Sequence, residues 1–174
     1  MKKFPFLLLD AGPIIKLFQL GIWDRFIEKC DVTVSRIVAN QAKYASQEFE
    51  DICIDLERYE EQGRIKVLDV NASIVGTFHD KFDILYKAIV HDGEKETLAF
   101  LFDSPESWLV CAADKAVFRV LGLLGRGERG ISLEEILKAI GQSRRDLERE
   151  YTKKYREKWT CIGQRDSIQD KGLI

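Results

Sequence analysis

The sequence predicts an α/β fold, a three-layer sandwich in which helices cover both faces of a mostly parallel central sheet. Three observations support this prediction. Short, continuously apolar runs at residues 6–9 and 108–112 are typical of strands that are buried on both faces. Longer segments with apolar residues at helical spacing alternate with the strand-like runs. Strands that alternate with helices along a chain usually form a parallel sheet with helices on both sides.

Size and composition indicate a single globular domain. The chain has 174 residues, of which 45% are hydrophobic and 32% are charged, so its core needs neither disulfides nor a structural metal. The net charge of -2 gives no general attraction for nucleic acid, and such binding would need a local patch. The cysteines are widely spaced, without a C-x-x-C pair. We interpret them as reduced, mostly buried thiols of a cytoplasmic protein.

The N-terminus begins like a signal peptide but lacks its full pattern. The apolar run in MKKFPFLLLD is short, contains Pro5 and ends at Asp10. No segment approaches the roughly 20 apolar residues that a membrane span requires. We therefore expect no membrane contact, and we expect residues 7–9 to form a buried strand.

The first half of the chain is predicted to alternate strands and helices. Strands are expected at residues 6–9, 32–34 and 64–68, the last at an edge of the sheet. Ser35 is suited to cap a long helix that Gly63 ends. The helices of this half are expected at residues 14–27, 36–62 and 71–88.

The second half is predicted to contain one more buried strand and four helices. One helix follows His91, the strand covers residues 108–112, and a helix at residues 115–121 leads into a glycine-rich loop at 122–130. That loop lacks the G-K-[ST] ending of a phosphate-binding loop. The remaining expectations are a helix at 133–140 capped by Ser132, a last helix from Ser143 to about Trp159 with Asp146 in a capping box, and a frayed tail after Thr160.

Carboxylates occupy the predicted ends of strands and the start of one helix. The stretch HDGEKETLAFL at residues 91–101 places Glu94 and Glu96 near a helix N-terminus, where partial positive charge keeps acids ionised. Asp10 and Asp114 follow the two buried strands. Ligands of parallel sheets bind outside the carboxyl ends of the strands. We therefore expect Asp10, Glu96 and Asp114 to meet at one edge of the sheet, although each acid alone is also explained as a helix cap.

Crowded carboxylates must either take up protons or bind a cation. Two unit charges about 4 Å apart repel by about 4 kcal/mol at an effective dielectric constant near 20. Oxygen ligands suit Mg²⁺ or Mn²⁺ better than zinc. Such an ion polarises a phosphoryl oxygen and supplies hydroxide, which is the chemistry of nucleases and phosphatases. The only histidines, His79 and His91, give no Ser-His-Asp or Cys-His set and are interpreted as surface or loop residues.

Three segments of the chain resemble a known family. LLLDAGPIIKL, GEKETLAFL and LVCAADKAV are similar, in order and spacing, to the three acidic motifs of PIN-domain proteins. These proteins are metal-dependent ribonucleases that include VapC-type toxins. The resemblance covers about the first three quarters of the chain. It implies a PIN fold, Mg²⁺ or Mn²⁺ at the acidic site and hydrolysis of single-stranded or structured RNA.

The resemblance also implies roles for particular residues. Asp10, Glu96 and Asp114 match the catalytic, metal-binding acids, and Glu94 matches the companion acid of the G-E-x-E pattern. Residues 1–130 would form the nuclease domain and residues 131–174 a helical extension packed on it. The implied partners are an RNA substrate and, for the toxin half of a toxin–antitoxin pair, an antitoxin protein. Apolar residues on the long second helix would also suit a homodimer.

Three positions depart from the family pattern. Gln41 stands where the family usually has another acid; its amide oxygen can contact a metal but carries no charge. Gly12 and Ala112 stand where hydroxyl residues are common. These departures favour a second hypothesis, a PIN-like binding or regulatory module without catalysis. A third and weaker hypothesis is a receiver or haloacid-dehalogenase type of fold phosphorylated at Asp10, although Gly12 replaces the second aspartate of the dehalogenase pattern.

The last predicted helix has two interpretations. Basic side chains beside aromatic ones can hold RNA phosphates and stack on bases. We favour the alternative that Leu147, Tyr151, Tyr155 and Trp159 pack on the domain or on a second subunit while the charges are solvated. The basic residues concerned are Arg144, Arg145, Arg149, Lys153, Lys154, Arg156 and Lys158.

Overall fold

The structure is a computed structural model that describes residues 3–47 and 50–174. Its central sheet has four strands, all parallel, in the order β5-β2-β1-β6. An antiparallel hairpin forms a separate two-stranded sheet. The strands are β1 (Phe4–Leu9), β2 (Cys30–Ser35), β3 (Tyr44–Gln47), β4 (Glu50–Cys53), β5 (Lys66–Leu68) and β6 (Leu109–Cys111).

Helices connect these strands and cover the sheet. Two short 3-10 turns lie at Gly127–Arg129 and Arg149–Tyr151. The helices of the described residues are α1 (Ala11–Gln19), α2 (Trp23–Lys29), α3 (Arg36–Gln41), α4 (Leu56–Glu61), α5 (Ala72–His79), α6 (Ile84–Ile89), α7 (Asp92–Asp103), α8 (Lys115–Leu123), α9 (Leu133–Ala139) and α10 (Lys153–Ile168).

A hydrophobic core lies on each face of the sheet. Strand β1 alternates between them, because Leu7 and Leu9 belong to one core and Leu8 belongs to the other. The first core is completed by residues of α1, α2, α3 and α9, and the second by residues of α7 and α8. The predicted three-layer α/β sandwich with a parallel central sheet is therefore confirmed.

The predicted helix at residues 36–62 is wrong. Ser35 caps α3 as expected, since its Oγ accepts a hydrogen bond from the Val38 N–H (3.3 Å), but the helix ends at Gln41. The chain then forms the β3–β4 hairpin, in which Ala45 pairs with Ile52. Both apolar residues still pack on the first core. The apolar residues have helical spacing in the sequence, but they reach this core from separate elements. Phe49, which was assigned to the same face, lies outside the described residues.

Two other predicted helices are each divided in two. Residues 14–27 form parts of α1 and α2, separated at Gly21, whose φ of 64° is left-handed. Residues 71–88 form α5 and most of α6. Asp83 starts α6, because its Oδ1 accepts a hydrogen bond from the Tyr86 N–H (2.9 Å). Local caps and one glycine therefore override a continuous apolar pattern.

The C-terminal region differs most from expectation. The last helix begins at Lys153, where Thr152 Oγ1 accepts from the Tyr155 N–H (3.3 Å), so Ser143 and Asp146 do not cap it. The helix extends to Ile168, and the expected frayed tail is instead packed. Asp166 is buried and accepts hydrogen bonds from the Tyr86 hydroxyl (2.7 Å) and the Arg119 guanidinium (2.6 and 2.8 Å).

Several local predictions for the second half are confirmed. Ser132 Oγ accepts from the Glu135 N–H (3.2 Å), and Glu135 Oε2 accepts from the Ser132 N–H (2.9 Å), so a capping box opens α9. All four cysteines are free thiols, but the prediction that they are mostly buried holds for only two of them: Cys30 and Cys111 are buried, whereas Cys53 and Cys161 are exposed. Among the described residues, no helix combines the length and apolarity that crossing a membrane requires.

Candidate metal centre

An open cavity of about 620 Å³ lies at the carboxyl ends of β1 and β6. These strands are neighbours, and Leu9 pairs with Cys111 at their ends. The chain continues from β1 to β2 on one side of the sheet and later adds β6 on the other side. Such a reversal of strand order opens a crevice between the following loops. The cavity is lined by Asp10, Ala11, Gly12, Gln41, His91, Gly93, Glu94, Ala113, Asp114, Lys115, Arg149, Glu150 and Tyr155.

Asp10 is the first residue after β1 and is only 8% exposed. Its backbone N–H donates to the Cys111 carbonyl (3.0 Å), which fixes the chain at the end of the two strands. Burial is the main reason that the pKa of its carboxyl is raised to about 6; the charge of Asp114 also raises it, while the Ala11 amide and His91 lower it. A bound cation would favour the ionised form of such a carboxyl.

Glu94, in the first turn of α7, is the second buried acid of the cavity. Its Oε2 accepts a hydrogen bond from the His91 backbone N–H (2.9 Å). Burial raises the pKa of its carboxyl to about 7, and the charges of Asp114 and Asp10 add to this rise. The structure therefore brings Glu94, Asp10 and Asp114 close enough to repel one another.

Asp114 combines the two roles that the sequence left open. Its Oδ1 accepts a hydrogen bond from the Ala116 N–H (2.7 Å), so it caps α8. The same side chain lines the cavity and raises the pKa of its two acidic neighbours. Because a carboxylate has two oxygens, capping through Oδ1 leaves Oδ2 for another ligand.

His91 adds an imidazole that sequence analysis did not assign to the site. A ring nitrogen of His91 and one carboxylate oxygen each from Glu94 and Asp114 all lie within 4.8 Å of one another. Ligands about 2.1 Å from one Mg²⁺ ion are at most about 4.2 Å apart, so small side-chain rotations would place all three on one cation. The signal available in the sequence was the position of His91 directly before the acidic turn of α7.

Glu96 does not lie where we expected. It is absent from the cavity lining, and its Oε2 accepts a hydrogen bond from the Ile37 N–H (3.0 Å) in the first turn of α3. Two residues on a helix are separated by about 200° of rotation, so Glu94 and Glu96 face different directions. The expected meeting of Asp10, Glu96 and Asp114 is therefore corrected: Glu94 takes the position in the cavity that we had given to Glu96.

Gln41 lies in the cavity, as its match to the family pattern predicts. It is the last residue of α3, and its Oε1 would be 2.6 Å from a Cβ atom placed on Gly93. Helices α3 and α7 therefore approach each other closely at a glycine. This contact places the uncharged Gln41 side chain next to Gly93 in the cavity that Glu94 also lines.

The structure gives a steric reason why positions 12 and 112 have glycine and alanine rather than hydroxyl residues. A Cβ atom on Gly12 would lie 2.8 Å from the Ala113 Cβ, so a hydroxyl residue there would push apart the loops after β1 and β6. Ala112 is fully buried within the second core and does not line the cavity. A hydroxyl at position 112 would be placed among apolar side chains rather than beside a metal.

The C-terminal segment supplies one wall of the cavity. Arg149, Glu150 and Tyr155 line the cavity, together with Lys115, which directly follows Asp114 at the start of α8. The favoured packing role of the apolar and aromatic residues is confirmed, since Leu147 and Tyr151 pack on the first core and Tyr155 and Trp159 pack on the second. The predicted continuous helix is wrong, because a turn at Arg149–Tyr151 precedes α10, and Arg149 and Glu150 line the cavity.

The donor set fits a hard divalent cation. Carboxylate oxygens, one amide oxygen and one imidazole surround the cavity, and burial without a cation leaves two of the carboxyls with raised pKa values. Comparison of the chain with models of known families, with curated proteins and with solved structures gave no match.

Proposed function

We propose that the chain is a divalent-metal-dependent endoribonuclease of the PIN type that hydrolyses RNA phosphodiester bonds with Mg²⁺ or Mn²⁺. One observation carries the proposal: Asp10, Glu94 and Asp114, which are far apart in sequence, line one cavity. Burial is the main cause of the raised pKa values of Asp10 and Glu94, and the charge of Asp114 adds to both. The resemblance of the motifs around these acids to those of PIN-domain proteins supports the choice of reaction. The free cysteines support the proposal of a cytoplasmic location.

The roles proposed for the residues follow from their positions. Asp10, Glu94 and Asp114 would bind the cation, with His91 and Gln41 at the border of the site. The ion, when bound, would polarise the scissile phosphate and lower the pKa of an attacking water. The acids hold the ion at the end of the sheet, and hydrogen bonds to the His91 and Ala116 amides orient two of them. Glu96 would support α3 rather than bind the metal.

Cleavage of RNA by the purified chain tests the proposal directly. Asp10→Asn should abolish Mn²⁺-stimulated cleavage, because the variant keeps the side-chain volume but loses a central charge. Asp92→Asn is a matched control. Asp92 lies in the same turn of α7 as Glu94, but it is exposed, pairs with Lys95 (3.0 Å) and is absent from the cavity lining. Equal cleavage by the wild-type chain and Asp10→Asn, with chelator-sensitive activity in both, would refute the assignment.

A PIN-like module that binds without catalysis is the second candidate. Gln41 favours it, because this residue lines the cavity at the position where the family usually places an acid. Titration of Mn²⁺ followed by calorimetry separates the two candidates. Tight binding that depends on Asp10 counts against the degenerate module, whereas no measurable binding supports it.

The proposed partners have different support. An antitoxin remains an implication of the family resemblance alone. The homodimer was inferred from a helix at residues 36–62, and this helix is replaced by α3, the β3–β4 hairpin and α4. Neither partner is needed to complete the acidic cavity, which is lined by one chain.

A further inference from the structure

We propose that the part of the cavity lined by Lys115, Arg149 and Tyr155, called the basic wall, binds a single-stranded nucleic acid, with Arg149 and Lys115 contacting phosphates and Tyr155 stacking on a base. This inference rests on the proposed function, because the wall adjoins the proposed metal centre. It assigns substrate-positioning roles to Arg149 and Tyr155, which lie outside the three acidic motifs, and to Lys115, which follows the acid of the third motif. These residues come from the start of α8, from the turn at Arg149–Tyr151 and from α10.

Lys115 and Arg149, the two cations of this wall, form no ion pair in the part of the chain that the structure describes. Among residues 3–47 and 50–174, no carboxylate oxygen forms an ion pair with Lys115 or Arg149 at 4.0 Å or less. Other basic residues of the same segment are paired: Arg144 with Asp146 (3.8 Å), Lys153 with Glu157 (3.6 Å) and Arg156 with Glu135 (2.8 Å). Arg145, Lys154 and Lys158 also lack an ion pair in the described residues, but they do not line the cavity. Lys115 and Arg149 are therefore the unpaired cations that a phosphate in the cavity could reach.

Tyr155 offers an aromatic surface next to these cations. The Arg149 guanidinium carbon lies 5.8 Å from the centre of its ring, and the Trp159 ring supports it edge-on at 6.1 Å. Tyr155 lines the same cavity as Asp114. Burial is the main cause of the raised pKa of the Tyr155 hydroxyl, and the charge of Asp114 adds to it. Tyr151 has a different role, because its hydroxyl donates to the Gly12 carbonyl (3.3 Å) and ties the segment to α1.

The combination of groups selects the class of ligand. A cation donates to phosphate oxygens, and a flat aromatic ring binds an unpaired base by stacking. Bases in a duplex already stack on one another and are not available to Tyr155. Glu150 also lines this wall, and its negative charge limits the wall to one or two phosphates rather than a long track. A short single-stranded segment next to the metal centre meets these requirements.

Binding of a fluorescent seven-nucleotide RNA, followed by anisotropy in EDTA to prevent cleavage, tests the inference. Tyr155→Leu keeps an apolar side chain but removes the ring, and should weaken binding about tenfold. Arg149→Ala and Lys115→Ala should each lower the slope of log affinity against log salt concentration by about 0.7, as expected for one lost phosphate contact on a single strand. Tyr155→Phe should bind like the wild-type chain.

Lys154→Ala is the matched control for charge. Lys154 is exposed on α10 and does not line the cavity, so its loss should leave both affinity and salt slope unchanged. Equal losses in Lys154→Ala and Arg149→Ala would overturn the inference, because binding would then reflect general charge. Competition by a blunt RNA duplex as strong as that by the single strand would overturn it as well.

The outcomes also separate this inference from the proposed function. Binding that depends on Arg149 and Tyr155, without any Mn²⁺-stimulated cleavage, would support the nucleic-acid wall and contradict the nuclease. Cleavage that depends on Asp10 but is unchanged in Tyr155→Leu and Arg149→Ala would support the nuclease and overturn the wall. A single-stranded DNA of the same sequence tests the contribution of the sugar: weaker binding than RNA would support selection for RNA.

Discussion

At the scale of single residues, two glutamates only two positions apart have separate tasks. Glu94 faces the acidic cavity, whereas Glu96 accepts a hydrogen bond from the first turn of α3. Glu94→Gln should weaken Mn²⁺ binding at least about tenfold, because it removes one charge from the ligand set. Glu96→Gln is the matched control and should leave the Mn²⁺ affinity unchanged. Calorimetry that shows the larger loss in Glu96→Gln would contradict the placement of these side chains.

The acidic residues should also make the metal-free protein sensitive to pH. The pKa of Asp10 is raised from 3.8 to about 6 and that of Glu94 from 4.5 to about 7. The folded state therefore binds more protons than the unfolded state between about pH 4 and pH 7, and its stability decreases as pH rises through this range. Asp10→Asn should increase the free energy of unfolding by about 2 kcal/mol at pH 7.5.

Urea unfolding in EDTA at two pH values measures this effect. At pH 4.5 the Asp10 carboxyl of the folded protein is largely protonated, so the gain from Asp10→Asn should be much smaller than at pH 7.5. If Asp10→Asn lowers the free energy of unfolding by the same amount at both pH values, Asp10 has a structural role, and burial of its ionised carboxylate does not destabilise the folded protein.

His91 should influence which cation binds. Imidazole is a better ligand for Mn²⁺ than for Mg²⁺, which prefers oxygen. A ring nitrogen of His91 lies within 4.8 Å of a carboxylate oxygen of Glu94 and of one of Asp114. His91→Asn should lower the affinity for Mn²⁺ by about tenfold and change that for Mg²⁺ much less. Titrations with the two ions check this prediction, and an equal decrease for both would exclude His91 as a ligand.

At the scale of elements, the packing of α8 against α10 depends on glycine. A Cβ atom on Gly163 would lie 1.9 Å from the Arg119 carbonyl oxygen, and one on Gly122 would lie 2.1 Å from the Thr160 carbonyl oxygen. The two backbones are therefore in contact at both positions. This approach fixes α10 on the domain and so holds Tyr155 at the cavity.

Gly163→Ala should consequently separate these helices and decrease the free energy of unfolding by about 2 kcal/mol or more. Gly76→Ala is a control with the opposite expected sign. Gly76 lies within α5 with no atom near its missing Cβ, so alanine there should stabilise the helix by about 0.5 to 1 kcal/mol. Thermal unfolding of the two variants checks both signs; a neutral Gly163→Ala would contradict the close packing.

Elements were predictable from sequence where local interactions determine them. Ser35 and Ser132 were both predicted as caps, and each accepts a hydrogen bond from a backbone N–H three positions later. The reciprocal hydrogen bond from the Ser132 N–H to Glu135 was not predicted. The β3–β4 hairpin was not predictable in this way, because Ala45 and Ile52 reach the core from different strands while keeping a helix-like spacing. The end of α10 was missed because its polar residues are buried by long-range contacts such as Asp166 with Arg119.

The residues of the site also differ in whether local sequence or long-range packing determines their positions. Asp10 and Asp114 could be assigned from sequence, because a strand that ends in an acid places that acid at the edge of the sheet. The choice between Glu94 and Glu96 depends on the rotation of α7 about its axis, which is set by packing against α3. Arg149 and Tyr155 could not be assigned, since their position depends on how the C-terminal segment folds back over α8.

At the scale of the whole molecule, strand order explains where the site forms. The sheet grows from β1 toward β2 and β5 on one side and toward β6 on the other, and the cavity opens where these directions diverge. The C-terminal segment then closes one side of the cavity. Asp10, Glu94 and Asp114 thus line one cavity together with the cations Lys115 and Arg149 and the ring of Tyr155.

The central claim is that this space holds a divalent cation between Asp10, Glu94 and Asp114. Anomalous diffraction at the manganese edge, from a crystal soaked in Mn²⁺, tests it most directly. We predict a peak within about 2.3 Å of oxygen atoms from these three carboxylates, lost in a crystal of Asp10→Asn. A well-ordered cavity without a peak, or a peak bound by Glu96 instead of Glu94, would contradict the account.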